Sequence, residues 1–224
     1  MTGPVLTQTY AAPPVCEKEI WRYAGVKGEA ASLTPLLTAC LEELLPGLSY
    51  KVCYREFPVT RQGHRLDLGF MDTASHTVLK ALDGCDRVVV FAATVGLQPD
   101  RLLARYGAVA PTKALLAQAV GTERIESLCD AFSRDVNARA TAEGYSARPR
   151  ISPGYGDFPL TAQRDLFRVL DCSRQIGLTL NDSLLMSPTK SVTALIGLSR
   201  NPCDQPTAGC AGCEKHDCVY RSQA

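Results

Sequence analysis

Arg148-Pro-Arg-Ile-Ser-Pro-Gly-Tyr-Gly-Asp-Phe-Pro-Leu160 holds three prolines and two glycines in thirteen residues. Proline removes a backbone donor and fixes φ, so this stretch can continue neither a helix nor a central strand. It reads as a shaped loop, stiffened by proline and turned by glycine. Arg150 brings a planar cation suited to gripping a carboxylate. Gly154 lets a ligand approach the main chain, and Tyr155 offers a flat face with a hydroxyl at its tip. Such a loop suits a small, flat, zwitterionic ligand. The same composition also serves a plain connector between two elements.

Working outward, Ala162 to Leu170 reads as a helix burying Leu166, Phe167 and Leu170. Gly177–Leu180 and Val192–Leu198 read as strands separated by a loop through Ser187-Pro-Thr-Lys190. Upstream, Pro111 to Thr141 is the longest helical region, with a pinch expected at Gly121. Its second half sets Ile125, Leu128, Cys129, Phe132 and Val136 on one stripe, with Asp130 just off its edge. Asp86 to Ala93, through the run Val88-Val-Val-Phe-Ala, is a strand buried on both faces. Gly96 then turns the chain into a helix over about Pro99 to Tyr106. The Thr94-Val-Gly96 turn could cradle a phosphate, but no Gly-x-Gly-x-x-Gly or Walker lysine accompanies it. Ala74 to Leu82 reads as a helix. Arg65 to Met71 is expected to pair with a strand at Tyr50–Val59 across a turn at Arg61-Gln-Gly63. Ser32 to Leu45 and Glu17 to Tyr23 are helical, the former capped by Ser32 or Thr34. Residues 1–15 form an arm, as an edge strand or without regular structure.

The bulk numbers narrow the classes. A chain of 224 residues with a formal net charge of +1 supplies no electrostatic reason for a nucleic-acid or anionic-membrane partner. No apolar run reaches the ~20 residues that span a bilayer, and the N-terminus lacks a signal-peptide pattern. The expectation is a cytoplasmic protein with reduced cysteines. Cys203, Cys210, Cys213 and Cys218 lie within sixteen residues in a Pro- and Gly-containing tail. Four converging thiolates suit zinc or an iron–sulfur cluster, with His216 able to replace one of them. A tail of free thiols is the alternative. His64 and His76 have no acidic or cysteine neighbours at ligand spacing. No Gly-x-Ser-x-Gly elbow or His-Glu-x-x-His is present, so no self-contained catalytic set emerges.

Arg150-Ile-Ser-Pro-Gly154-Tyr155 resembles the Arg-x-x-x-Gly-Tyr signature of the activation (reactivation) domain of vitamin B12-dependent methionine synthase. The resemblance continues through Gly156-Asp-Phe-Pro-Leu160, Gln163, Ile176-Gly-Leu-Thr-Leu180 and Met186-Ser-Pro-Thr-Lys-Ser-Val192, and covers roughly residues 16–200. It implies an α+β fold, a twisted antiparallel sheet flanked by helices, with an N-terminal arm (1–15), an S-adenosylmethionine-binding domain (16–200) and a cysteine-rich tail (201–224). It implies that Arg150 fixes the methionine carboxylate of the ligand and that main chain at Ile151 and Ser152 meets the adenine edge. Gly154 would then make room and Tyr155 stack or hydrogen-bond. Asp130 matches a family glutamate before Ala-Phe that contacts the ligand, one methylene shorter. The family's N-terminal aspartate and late tyrosine have no equivalent here; after Ser199 the chain runs Arg-Asn-Pro-Cys. The implied function is reactivation, in trans, of cobalamin-dependent methionine synthase: S-adenosylmethionine methylates a cobalamin carried by the partner polypeptide, after a flavodoxin-like donor supplies one electron. The sequence itself lacks the Asp-x-His-x-x-Gly that would bind a corrinoid. Two other readings stay open: a metal-cluster-bearing redox or scaffold protein for another corrinoid methyltransferase, and a free-standing methyltransferase, which lacks its usual glycine-rich loop.

Overall fold

The computed structural model describes residues 3–26 and 31–201. An edge strand β1 (Leu6–Tyr10) leads to helices α1 (Glu17–Tyr23) and α2 (Thr34–Leu44). Strand β2 (Tyr50–Pro58) follows, then the short strands β3 (Thr60–Gln62), β4 (Arg65–Asp67) and β5 (Asp72–Thr73) and helix α3 (His76–Ala81). The central strand β6 (Arg87–Thr94) precedes α4 (Gln98–Tyr106) and the long α5 (Pro111–Ala142). After β7 (Ser146–Ala147) and the proline-rich loop come α6 (Gln163–Leu170), α7 (Cys172–Ile176), β8 (Thr179–Leu180), β9 (Met186–Ser187) and β10 (Ser191–Ser199).

The main sheet runs β1-β2-β6-β10-β7, and each neighbouring pair is antiparallel. Its centre is β6, whose Val88-Val-Val-Phe-Ala run is buried on both faces, as the absence of alternation predicts. One face packs on the C-terminal half of α5 through Ile125, Leu128, Phe132 and Val136; the rings of Phe91 and Phe132 lie 4.7 Å apart. The other face packs on α6, α7 and α3 through Leu166, Leu170, Cys172 and Val78. Ile20, Leu37, Leu44 and Leu102 gather α1, α2 and α4 around the N-terminal half of α5. Fully burying each such aliphatic side chain contributes roughly 1.5–3 kcal/mol. The α+β fold expected from the sequence is the fold observed.

Three local expectations need correction. Arg65–Asp67 pairs with Thr60–Gln62 and Asp72–Thr73 in a separate three-stranded sheet, because β2 is already paired on both edges by β1 and β6. The start of α2 has no side-chain cap: Leu33 occupies the cap position, and a short 3₁₀ turn over Ala31–Leu33 leads into the helix instead. Helix α5 runs unbroken through Gly121. A Cβ there would come within 3.1 Å of Lys190 Cγ and Cε, so the glycine makes room for a lysine stem and does not pinch the helix.

Two faces of α5 carry charge inward. On one, Arg124 (0% exposed) and Glu123 (2%) form a buried ion pair. Arg124 also donates to the carbonyls of Pro13 (2.6 Å) and Pro14 (2.8 Å), and Glu123 accepts from the Cys16 amide at 3.1 Å. This cluster ties the N-terminal segment to α5. The other charged face bounds the candidate site.

Candidate functional site

The residues after β7 continue along the edge of β10, but out of step. The Arg148 amide donates to Gly197 O, while Ile151 exchanges both main-chain hydrogen bonds with Leu195 at 3.0 and 2.8 Å. Three residues on this segment thus span two on β10, the accounting of a β-bulge. Pro149, without an N–H, sits inside it at no cost to the ladder. The bulge sends Arg150 toward α5, where Nη1 meets Asp130 Oδ1 at 2.6 Å and Nη2 meets Glu126 Oε2 at 2.7 Å. Burial works against the guanidinium charge, but Cys129, Asp130 and Glu126 more than offset it, and Arg150 holds its proton more tightly than usual.

Beyond Ile151 the chain folds back. The Tyr155 amide reaches Ser152 O at 3.3 Å, with Pro153 and Gly154 (φ +94°) between them, the residue pair a type II turn requires. A Cβ at Gly154 would meet Leu160 Cδ1 at an ordinary 3.4 Å, so backbone conformation, not crowding, asks for glycine. Asp157 then anchors the loop to the start of α3, accepting from Ser75 Oγ (2.6 Å), the His76 amide (2.7 Å) and the Thr77 amide (2.9 Å). Hydrogen bonds from Ser75 and Thr77 hold its carboxyl well below the usual carboxylate range. Tyr155 projects outward, 68% exposed.

The structure therefore brings Arg150 and Asp130 together, with Ile151, Ser152 and Gly154 on the same segment and Tyr155 at its outer turn. Sequence reasoning missed Glu126. The available signal was its spacing: Thr122, Glu126 and Asp130 recur every four residues and share one face of α5. It also missed Thr193, two residues along β10 from Leu195, whose main-chain groups face the same edge by the alternation of the ladder. Its hydroxyl is buried with no hydrogen-bond partner among the described residues. An open strand edge and a carboxylate-rich ion cluster fit a flat heteroaromatic group and a cationic centre. They do not form a closed hole. Two surface depressions, of about 540 and 460 Å³, lie elsewhere, at Arg61, His64, His76 and Lys80 and at Arg164, Arg168 and Thr179.

The family model for the activation domain of vitamin B12 dependent methionine synthase matches residues 74–202, more than half of the chain and all of this site. The chain belongs to that family. The crystal structure of the MetH reactivation domain bound to AdoHcy has a TM-score of 0.63 at 16% identity, covering 92% of this chain and 81% of that one. At that identity the likeness to the MetH domain speaks for the fold. Among curated proteins, nothing matches the chain.

The tail residues Cys203, Cys210, Cys213 and Cys218, with His216, lie outside the described residues. Among the described residues no three His, Cys, Asp or Glu side chains are grouped to hold a metal. No described helix is long and apolar enough to cross a membrane.

Proposed function

We propose that this activation-domain protein binds S-adenosylmethionine along the open edge of β10. In trans, it would support the reductive methylation of cob(II)alamin to methylcobalamin on a cobalamin-binding methionine synthase polypeptide, with a flavodoxin-like donor supplying the electron. The observation that carries this reading is the pairing of Arg150, on the bulged loop, with Asp130 on α5, in a chain from the activation-domain family. The MetH reactivation domain holds AdoHcy, the demethylated form of the donor, and this supports the choice of ligand. Residues 16–200 are the ligand-binding unit of this proposal, 1–15 its arm, and 201–224 a tail whose thiolates would hold zinc or an iron–sulfur cluster.

When bound, the sulfonium supplies an electrophilic methyl group. The protein's own residues have a positioning task, which contributes rate through proximity without an acid or base. Main chain at Ile151, Ser152 and Thr193 presents donors and acceptors to an adenine edge, and the Gly154 turn keeps that edge uncovered. Arg150 pins Glu126 and Asp130 so that the cluster carries a net negative charge, complementary to a sulfonium.

Calorimetric titration with S-adenosylmethionine tests the reading, with Arg150→Ala alongside. The parent is expected to bind and the variant to bind at least tenfold more weakly. No heat with the parent removes the proposal. Adding the protein and reduced flavodoxin to a cobalamin-loaded methionine synthase without its own activation domain should restore turnover; no recovery refutes action in trans.

A further inference from the structure

Arg150 is one cation facing two carboxylates. Asp130 Oδ1 takes Nη1 and Glu126 Oε2 takes Nη2, so the cluster carries one surplus negative charge. Paired with Asp130 alone, Arg150 would leave the cluster neutral; Glu126 supplies the surplus. Arg150 spends two of its five N–H donors on these acids and keeps three for a ligand. Both acids stay partly open, with the Glu126 side chain 38% exposed and that of Asp130 55%. Glu126 Oε1 and Asp130 Oδ2 accept no hydrogen bond among the described residues.

The surroundings leave the surplus uncancelled. Arg22, stacked on the Tyr23 ring of α1 at 4.1 Å, is paired with Glu19. Lys190, bonded to Thr122 one turn before Glu126 on α5, draws its electrostatic support from Asp100. The Glu126 charge is felt as far as α1, where burial and then Glu126 push the Tyr23 phenol up.

The amino-acid end of S-adenosylmethionine is a zwitterion without net charge, and the sulfonium adds one positive charge. Loss of the methyl leaves S-adenosylhomocysteine, a neutral thioether at the same place. An uncompensated carboxylate beside that place attracts the first and is indifferent to the second. Resting on the S-adenosylmethionine reading, we propose that Glu126 is a specificity residue whose surplus charge makes the site prefer the charged donor to the spent product. Arg150 and Asp130 serve both ligands alike. One unit charge at about 6 Å is worth roughly threefold in affinity in a water-like dielectric and roughly a hundredfold at an effective dielectric of about 20. Because both acids are partly exposed, the low end applies, about 3- to 10-fold.

Calorimetric titrations of the parent, Glu126→Gln and Asp130→Asn test this with three ligands: S-adenosylmethionine, S-adenosylhomocysteine and sinefungin, in which a cationic amine replaces the sulfonium. At ~0.1 M salt the parent should bind both cations about 3- to 10-fold more tightly than S-adenosylhomocysteine. At ~1 M, where the screening length is about 3 Å, the preference should shrink toward one. In Glu126→Gln it should be near one at either salt, through weaker binding of the cations. Asp130→Asn should weaken all three ligands, the neutral one included. A preference that survives in Glu126→Gln, or that salt leaves unchanged in the parent, overturns the assignment and leaves the ligand reading standing. The salt series on the parent decides the matter even where a variant fails to fold. Failure of the parent to bind any of the three removes both.

Discussion

Replacing Arg124 with methionine keeps most of the stem and deletes the most enclosed cation among the described residues. Five hydrogen bonds go with it: two to Glu123 at 2.5 Å each, one to Pro13 O, one to Pro14 O and a long one to Ser127 Oγ at 3.5 Å. The two prolyl carbonyls lie in a partly exposed segment and can rehydrate, so each costs at most about 1 kcal/mol. Glu123 cannot rehydrate. It keeps only the Cys16 amide and the Ser127 hydroxyl (2.8 Å), and an uncompensated buried charge costs about 3–5 kcal/mol. The expected loss is about 4 kcal/mol at pH 7.5, a large share of an ordinary domain's stability. In urea, with a slope near 2 kcal/mol/M, the midpoint falls by about 2 M. Glu123→Gln added to Arg124→Met removes the stranded charge and should restore part of the loss. A loss below about 1 kcal/mol, or one unchanged by the second substitution, refutes the view that this pair is electrostatically isolated from solvent.

Lys190→Met should stabilise the protein at pH 7 by at most about 3 kcal/mol, because the native ammonium is lowered from an ordinary lysine value to about 8. The unfolded chain binds that proton more strongly between pH 8 and 10.5, so the parent gains stability there and the variant's advantage should vanish; denaturation curves of both across that range decide it. Asp157→Asn should weaken the anchor between the loop and α3. Because the Asp157 carboxyl is held low, its contribution is present above the unfolded carboxylate range and lost as pH falls, so the variant should show a shallower acid limb in thermal melts. Gly154→Val forces a β-branched residue to φ +94° at a cost of about 1–3 kcal/mol, read as a lower melting temperature and faster amide exchange at Tyr155.

Legibility in the sequence followed how far each signal was local. The unbroken apolar run of β6 and the four-residue stripe of α5 report burial directly, and both elements lie where the pattern placed them. Arg150 and Asp130 stood out through a motif, but the bulge that joins them did not, because it depends on how 148–151 registers against β10. Gly121 reads as a helix weakness by propensity alone; its packing partner, Lys190, is remote in sequence. Arg65–Met71 shows strand composition, but β2 already has neighbours on both edges, which only the assembled sheet reveals. Glu126 was overlooked because a surface acid on a long helix carries no mark of its own until its cation arrives.

The continuity of α5 bears on what the protein could evolve to hold. With Thr122, Glu126 and Asp130 fixed to one rod, the contacts offered to a ligand fall at graduated intervals of a single turn, like marks on a ruler. Lengthening or shortening the cargo means moving a polar group by a whole graduation, so small adjustments of reach have to come from the loop on the opposite bank.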